Sequence, residues 1–145
     1  AVRSSGNGEW GALQIPATIP VWLALALWVA GFDIIYSCQD YEFDRKMGLF
    51  SIPVRFGIRG ALGISALFHT GTIFFLACTG LLVRLSGLYY IGVGCVAVLL
   101  FIEHLLVKPE KLDNVRIASY SINQLAGPVF FIFTALSIIF QNIHG

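Results

Sequence analysis

The chain has 145 residues, of which 57% are hydrophobic and 12% are charged, and its formal net charge is +1. A soluble globular domain has about twice that share of charged residues, so the composition excludes a soluble protein, and we expect no nucleic-acid partner. Four apolar runs are long enough to cross a bilayer as helices, which takes about 20 residues each: residues 16–36, 60–83, 87–107 and 117–140. We therefore predict an all-α integral membrane protein.

Lysine and arginine alternate between the two ends of the predicted helices. One precedes the first helix, four follow it, one lies in the next turn, three lie between the last two helices, and none follows the last. Cytoplasmic loops are enriched in these residues, so residues 33–59 and 108–116 are predicted to face the cytoplasm, with a bacterial plasma membrane as the expected location. The chain opens without methionine in loop-like sequence, and we expect residues 1–145 to be the C-terminal part of one membrane domain.

At the end of the first helix, apolar sequence passes into a polar stretch that contains three aspartates. If the helix continues to Gly48, a typical C-cap residue, four side chains share one of its faces: Asp33, Tyr36, Asp40 and Asp44. Asp40 and Asp44 are like charges one turn apart, which favours a bound cation between them. Because Mg²⁺ is often held by one or two carboxylates together with phosphate oxygens, this pair is a candidate half-site for a metal-bound diphosphate. The alternative is a solvated helix face.

Polar side chains recur in the cytoplasmic halves of all four predicted helices. They are Asp33, His69, Glu103 and Asn123, in chain order. Ionisable residues are costly at this depth and are candidates for function, although a lone histidine is more often an interhelix contact. Glu103 equally suits pairing with a neighbouring lysine or histidine. We expect a polar cavity open to the cytoplasm, with an apolar outer half that suits a lipid tail.

Residues 31–57, GFDIIYSCQDYEFDRKMGLFSIPVRFG, resemble the second aspartate-rich motif of the intramembrane aromatic prenyltransferases, the UbiA superfamily. The resemblance is greatest to the 4-hydroxybenzoate polyprenyltransferase branch, and residues 103–107 and 121–123 resemble the family's last two helices. It implies that the chain holds the last four helices of a nine-helix, all-α enzyme. The N-terminal helices of the same enzyme are then expected partners.

Members of this family transfer a polyprenyl chain from its diphosphate to an aromatic acid, in ubiquinone or menaquinone biosynthesis, with Mg²⁺ bound between the diphosphate and two aspartate motifs. The resemblance implies Asp40 and Asp44 as metal ligands and Lys46 as a diphosphate contact. It places Asp33 and Tyr36 near the reacting carbons, as the catalytic residues. Three further candidates for substrate binding are Arg45, beside Lys46, and the cavity residues Glu103 and Asn123.

The family's first motif, N-D-x-x-D-x-x-x-D on an early helix, does not occur in the chain. Half of the expected metal site is therefore missing, and we expect the chain to be inactive alone. Two alternatives remain open: another branch of the superfamily, with dihydroxynaphthoate, homogentisate or haem as the acceptor, and an ion or proton carrier. A carrier needs acidic residues across the whole bilayer, and the outer halves of the predicted helices have none, which counts against it.

Overall fold

The structure, a computed structural model, describes residues 7–109, 112 and 115–144. Every regular element in that part of the chain is an α-helix: α1 (Asn7–Ser37), α2 (Tyr41–Met47), α3 (Ile52–Val83), α4 (Gly87–Leu106) and α5 (Val115–His144). All but α2 contain apolar stretches long enough to cross a membrane. The predicted all-α architecture with four membrane-spanning helices is confirmed.

Two helices begin at least two turns earlier than the sequence predicts, and α5 begins two residues earlier, at Val115. α1 begins at Asn7 rather than at residue 16, and α3 begins at Ile52 rather than at residue 60. α3 starts early because the Ser51 hydroxyl accepts a hydrogen bond from the Val54 N–H at 3.4 Å and so caps the helix. Gly57 then leaves the helical path (φ 73°, ψ 163°). A short helical segment therefore leads through a kink into the membrane-spanning part of α3.

The aspartate stretch is not one continuous helix, contrary to the expectation from sequence. α1 ends at Ser37, a turn follows, and α2 begins at Tyr41. The Ser37 hydroxyl and the Cys38 thiol both donate to the carbonyl oxygen of Ile34, at 2.8 and 3.3 Å, and such side-chain bonds compete with the helical ladder. Gly48 is a left-handed C-cap (φ 68°), as predicted, but it ends α2 rather than α1.

Cys38 fixes the turn between α1 and α2 to the core. Its side chain is fully buried and belongs to a cluster with Ile34 of α1 and Ala61 of α3. Burial raises the pKa of the Cys38 thiol to about 11, so the thiol stays protonated at neutral pH. Because the thiolate is the reactive form of cysteine, Cys38 is a packing residue rather than a nucleophile.

α1 packs along α3, and α4 packs along α5. Close approach depends on glycines that face aromatic rings, as is common between membrane helices. At Gly80 of α3, an added Cβ would lie 2.6 Å from Cε1 of Tyr89 on α4, and the Tyr89 hydroxyl donates to the Leu76 carbonyl at 2.8 Å. The buried core continues from this contact, past Trp28, to the turn at the opposite end of the bundle.

A polar contact joins α5 to the α3–α4 turn, at the end of the molecule opposite the aspartates. Ser137 is fully buried; its hydroxyl accepts from the Ser86 N–H at 3.2 Å and lies 2.8 Å from the Ser86 hydroxyl. We expect Ser137→Ala to lower the free energy of unfolding by about 1 kcal/mol, because two partly buried hydrogen bonds between helices are lost. SDS-induced unfolding of the detergent-purified protein measures this loss.

Thr134→Ala is the matched control for Ser137→Ala. Thr134 is on the same helix, but its hydroxyl bonds only to the carbonyl of Phe130 one turn earlier, at 2.8 Å. Removing that local bond should have little effect, since it joins no second helix. Equal losses from the two substitutions would contradict a stabilising role for the Ser86–Ser137 contact.

Candidate active site

Asp40 and Asp44 lie one turn apart at the start of α2. Asp40 is the N-cap residue, and its carbonyl accepts the Asp44 N–H at 2.8 Å, so the two side chains project from the same side of the first turn. Asp40 is exposed and Asp44 is partly buried. Neither carboxylate has a hydrogen bond or ion pair with another described residue. Their oxygens are therefore available to a ligand.

The pair fits one half of a magnesium site. Among the residues that the structure describes, no group of three or more histidine, cysteine, aspartate or glutamate side chains is placed to hold a metal ion. Mg²⁺ keeps several water ligands and often takes only one or two carboxylates, with phosphate oxygens completing its shell. Two unpaired carboxylates on one helical turn suit that requirement, provided that other groups supply the remaining ligands.

Arg45 and Lys46 follow the aspartates in the last turn of α2, and both are exposed. Since α2 continues to Met47, Lys46 is still helical and lies about 160° around the helix from Asp44. Its ammonium group reaches a ligand on the aspartate side only if the long side chain bends back around the helix. Arg45 is about 100° from Asp44 and needs a smaller bend.

Asp33 lies in the last two turns of α1 and is exposed. The buried stripe of this helix includes Trp28 and Gly31, and Asp33 is about 160° around the helix from Gly31. It shares the opposite stripe with Trp22 and Val29, which are 68% and 58% exposed. None of the described helices covers this stripe. A carboxylate at this depth is costly against lipid, so the stripe is expected to line a cavity or to meet further protein.

Tyr36 is one turn closer to the C-terminal end of α1 than Asp33. It is partly buried, and its ring packs on Phe32 with the ring centroids 4.9 Å apart. The two rings form an aromatic surface beside Asp33. Aromatic faces attract cations, so this surface suits a substrate on which positive charge develops.

Glu103 lies in the core of the bundle. Its side chain is fully buried, with Oε2 3.8 Å from Nδ1 of His69 on α3 and with the Ser119 side chain of α5 beside it. Nδ1 of His69 also lies 3.0 Å from Nε2 of His104. Neither oxygen of Glu103 has a hydrogen bond of good geometry to a described residue. The cluster therefore joins three helices through polar groups that are only partly paired.

His69 also sets the distance between α3 and α1. A Cβ added at Gly31 would lie 2.5 Å from Cδ2 and 2.6 Å from Nε2 of the His69 ring. One turn earlier on α3, the Ser65 hydroxyl donates to the Gly31 carbonyl at 2.7 Å. His69 is thus an interhelix contact, the more common role for a histidine inside a membrane.

Asn123 on α5 is partly buried, and its Oδ1 accepts a hydrogen bond from Nε1 of Trp28 at 3.0 Å. Because the indole N–H is only a donor, this bond fixes which end of the amide is the oxygen. The amide NH₂ has no partner among the described residues. Asn123 therefore offers a donor pair in a fixed orientation.

The structure separates the predicted site residues into two groups. Six lie at the C-terminal end of α1, in the turn that follows it or on α2: Asp33, Tyr36, Asp40, Asp44, Arg45 and Lys46. Glu103 and Asn123 lie within the bundle, on the side of α1 that faces away from Asp33. The described residues do not form the single polar cavity expected from the sequence, and substrate binding by Glu103 and Asn123 stays a prediction.

Two residues next to these candidates make contacts that the sequence did not predict. Trp28 bonds to Asn123 across 95 residues of chain, and no local pattern signals so distant a pair. His104 is adjacent to Glu103, and the sequence offered it as a partner for that carboxylate; in the structure it bonds to His69 instead.

Residues 7–134 match the UbiA prenyltransferase family. A 4-hydroxybenzoate octaprenyltransferase of Chromohalobacter salexigens is 30% identical over 139 residues, which cover 90% of this chain and 46% of that protein. A 4-hydroxybenzoate solanesyltransferase of Synechocystis is 33% identical over 96 residues, covering 65% of the chain and 32% of that protein. A mitochondrial 4-hydroxybenzoate polyprenyltransferase of Arabidopsis thaliana is 35% identical over 80 residues, with 55% and 19% covered.

No solved structure matches the chain. The chain spans about half the length of the bacterial octaprenyltransferases that it matches. The family match nevertheless extends from α1 into α5 and includes the aspartate stretch and every membrane-spanning helix in whole or in part. The chain belongs to the UbiA prenyltransferase family.

Proposed function

We propose that the complete protein transfers a polyprenyl group from polyprenyl diphosphate to an aromatic acid, with 4-hydroxybenzoate as the acceptor, in the biosynthesis of a quinone. The main support is the pair of unpaired carboxylates, Asp40 and Asp44, in a chain whose relatives are named 4-hydroxybenzoate prenyltransferases. The four apolar helices suit a polyprenyl substrate, which is itself a membrane lipid. The chain alone supplies half of the metal site and should be inactive without the N-terminal helices.

Asp40 and Asp44 would hold Mg²⁺ at the diphosphate. The metal would supply positive charge that neutralises the leaving group. Lys46 and Arg45, both exposed on α2, would add to that charge through hydrogen bonds to phosphate oxygens. Together these groups stabilise negative charge where it develops as the C–O bond breaks.

In the proposed reaction, the allylic C–O bond breaks and the diphosphate leaves with its electron pair. The allylic fragment becomes positively charged, and the aromatic surface of Phe32 and Tyr36, with centroids 4.9 Å apart, would stabilise it by cation–π attraction. A ring carbon of the acceptor then forms the new C–C bond and the ring loses a proton. Exclusion of water by the apolar surroundings would prevent hydrolysis of the cation.

Asp33 is the candidate for the proton acceptor or for polarising the phenol of the acceptor. It lies about one turn before the end of α1, whereas Asp44 is on α2 beyond the turn, and its stripe of α1 is left open by the described helices. That position would place a carboxylate deeper in the membrane than the metal ligands. The charged diphosphate would then stay near the cytoplasmic surface while the prenyl tail extends into the apolar half.

Cytoplasmic orientation of α2 is part of the proposal. Arg45, Lys46, Arg55 and Arg59 lie at this end of the bundle, and Arg84 lies at the other. The bias agrees with the enrichment of basic residues on the cytoplasmic side. Diphosphates and Mg²⁺ are available there.

Binding of a radiolabelled prenyl diphosphate to the complete protein, in the presence of Mg²⁺, tests the proposal. Asp40→Ala and Asp44→Ala should each weaken this binding at least about tenfold, because each removes a carboxylate from the metal. Prenylation assays with 4-hydroxybenzoate, dihydroxynaphthoate and homogentisate then identify the acceptor.

Glu42→Ala is the matched control for the aspartate variants. Glu42 is exposed on the same helix. It is two residues from each aspartate and therefore lies about 160° around the helix from both. Its loss should leave binding unchanged. Full retention of binding by both aspartate variants would overturn the metal assignment. A preferred acceptor other than 4-hydroxybenzoate would overturn the assignment of the aromatic substrate.

A further inference from the structure

A groove of about 580 Å³ opens between the membrane-spanning parts of α3 and α4. The side chains that matter for its chemistry are His69, Thr70 and Phe74 on α3 and Ala97, Phe101 and His104 on α4. Both helices are long enough to span the bilayer, so the groove is accessible to molecules dissolved in the lipid phase. Its size lies within the range of small-molecule sites, about 300–1,000 Å³.

The groove has a polar end and an apolar end. His104 is two residues from the cytoplasmic end of α4, about 3 Å along the helix axis, whereas Ala97 is about 14 Å from that end. Phe74 lies at the deep end on α3, and its position is about five residues beyond His69. This order matches an amphiphile whose head group lies near the membrane surface and whose tail extends inward.

His104 gives the polar end its hydrogen-bonding capacity, because both nitrogens of the buried His69 ring are turned to His104 or to Gly31 of α1. Nδ1 of His69 lies 3.0 Å from Nε2 of His104, and a hydrogen bond between two ring nitrogens requires one of them to carry no proton, so at least one ring is uncharged. The second nitrogen of His104, Nδ1, has no partner among the described residues. Depending on the tautomer, it donates to a carbonyl oxygen or accepts from a phenol.

The lining also limits the head group by its charge. None of the residues that line the groove is lysine, arginine, aspartate or glutamate, so nothing there compensates the phosphate of a phospholipid. The Thr70 hydroxyl is already bonded to the Ala66 carbonyl at 2.8 Å. Phe74 and Phe101 instead provide flat apolar walls for a ring or an unsaturated chain. A neutral aromatic or quinonoid head group fits this lining.

We propose that the groove between α3 and α4 is a second binding site, which takes a prenylated phenol or quinone from the bilayer. The head group hydrogen-bonds to His104 and the isoprenoid tail lies along Ala97 and Phe74. The choice of ligand rests on the proposed function, whose product is a prenylated phenol. The site itself is separate from the aspartates, because Asp33 lies on the opposite face of α1 from the contact with His69.

The test measures binding of a tritiated benzoquinone with a two-isoprene tail to the complete protein in phosphatidylcholine nanodiscs, without Mg²⁺ or diphosphate. Wild type should bind the probe saturably at this site, and Ala97→Trp, which fills the groove, should weaken binding at least tenfold. Val98→Trp is the matched control, since Val98 is the next residue on α4, is 57% exposed and does not line the groove. It should bind like wild type.

His104→Phe is the second variant and keeps the ring shape while removing both nitrogens. It should weaken binding of the probe at least fivefold, and it decides the question if Ala97→Trp does not fold. Absence of saturable binding to wild type would overturn the proposal, as expected if another part of the protein fills the groove. Unchanged binding by a folded Ala97→Trp or by His104→Phe would also overturn it, and so would equal competition by excess phosphatidylglycerol.

Failure of this proposal can be told from failure of the proposed function. The binding of prenyl diphosphate depends on Asp40 and Asp44, whereas the binding of the quinone probe depends on Ala97 and His104. If the aspartate variants retain diphosphate binding while Ala97→Trp loses the probe, the catalytic assignment fails and the groove stands. The reverse result removes the groove and leaves the catalytic assignment intact.

Discussion

Gly31→Ala is expected to lower the free energy of unfolding by about 2–3 kcal/mol, at the upper end of the usual cost of overpacking. The new Cβ would lie 2.5 Å from Cδ2 and 2.6 Å from Nε2 of His69, closer than any stable contact between such atoms. His69 has little room to move, since its ring is 3% exposed and bonds to His104. SDS-induced unfolding of the complete protein in mixed micelles measures the loss.

Gly63→Ala is the matched control. It is the same substitution, made in α3, the helix that packs against α1. No atom outside its own helix lies within 4 Å of the Cβ that it adds. Alanine favours helix over glycine by up to about 1 kcal/mol, so this variant should be as stable as wild type or more so. An equally small effect of Gly31→Ala would contradict the tight contact between α1 and α3.

A double substitution tests whether the His69 ring is the cause. His69→Ala removes the atoms that the new Cβ would meet, so the cost of Gly31→Ala should fall below about 1 kcal/mol in that background. A cost that stays at 2–3 kcal/mol would assign the loss to the α1 backbone, for example to the bond between the Gly31 carbonyl and Ser65 at 2.7 Å.

The architecture could be predicted from sequence because a bilayer imposes a simple requirement. Each spanning helix needs about 20 apolar residues, and the runs of the sequence agree with α4 and with the end of α3 to within one residue. Helix starts were less predictable, because they depend on local caps such as the Ser51 hydroxyl. The break after Ser37 depends likewise on side-chain bonds to the Ile34 carbonyl.

The arrangement of the polar residues was harder to predict than their depth. Depth follows from counting residues along a helix, but direction depends on which face of each helix packs inward. Asp33 and Glu103 both lie near the C-terminal ends of their helices, yet Asp33 is exposed and Glu103 is fully buried. α1 packs on α3 at Gly31, which turns Asp33 outward, and Glu103 faces His69 of α3 and Ser119 of α5, so both directions depend on contacts between residues far apart in the chain. No periodicity in a single helix indicates them.

Glu103→Met is expected to raise the free energy of unfolding by about 1–3 kcal/mol. The carboxyl group is fully buried, and neither oxygen has a good hydrogen bond to a described residue, the Nδ1 of His69 being 3.8 Å away. Replacing a poorly compensated buried polar group by an apolar one of similar volume is often neutral or stabilising. Methionine is flexible enough to fill the space, and His69 keeps its 3.0 Å bond to His104.

Glu42→Met is the control, since Glu42 is exposed on α2 and should change stability by less than about 0.5 kcal/mol. A loss of 1 kcal/mol or more from Glu103→Met would show that the carboxyl makes a net favourable contact and would contradict the prediction.

Activity gives a second readout on the same variant. If Glu103 binds substrate, the Glu103→Met protein should have a lower kcat/KM even though it is more stable, because it lacks the carboxyl that binds substrate. The wild-type carboxyl would then favour function at the expense of stability. Unchanged kcat/KM would remove Glu103 from the substrate-binding residues.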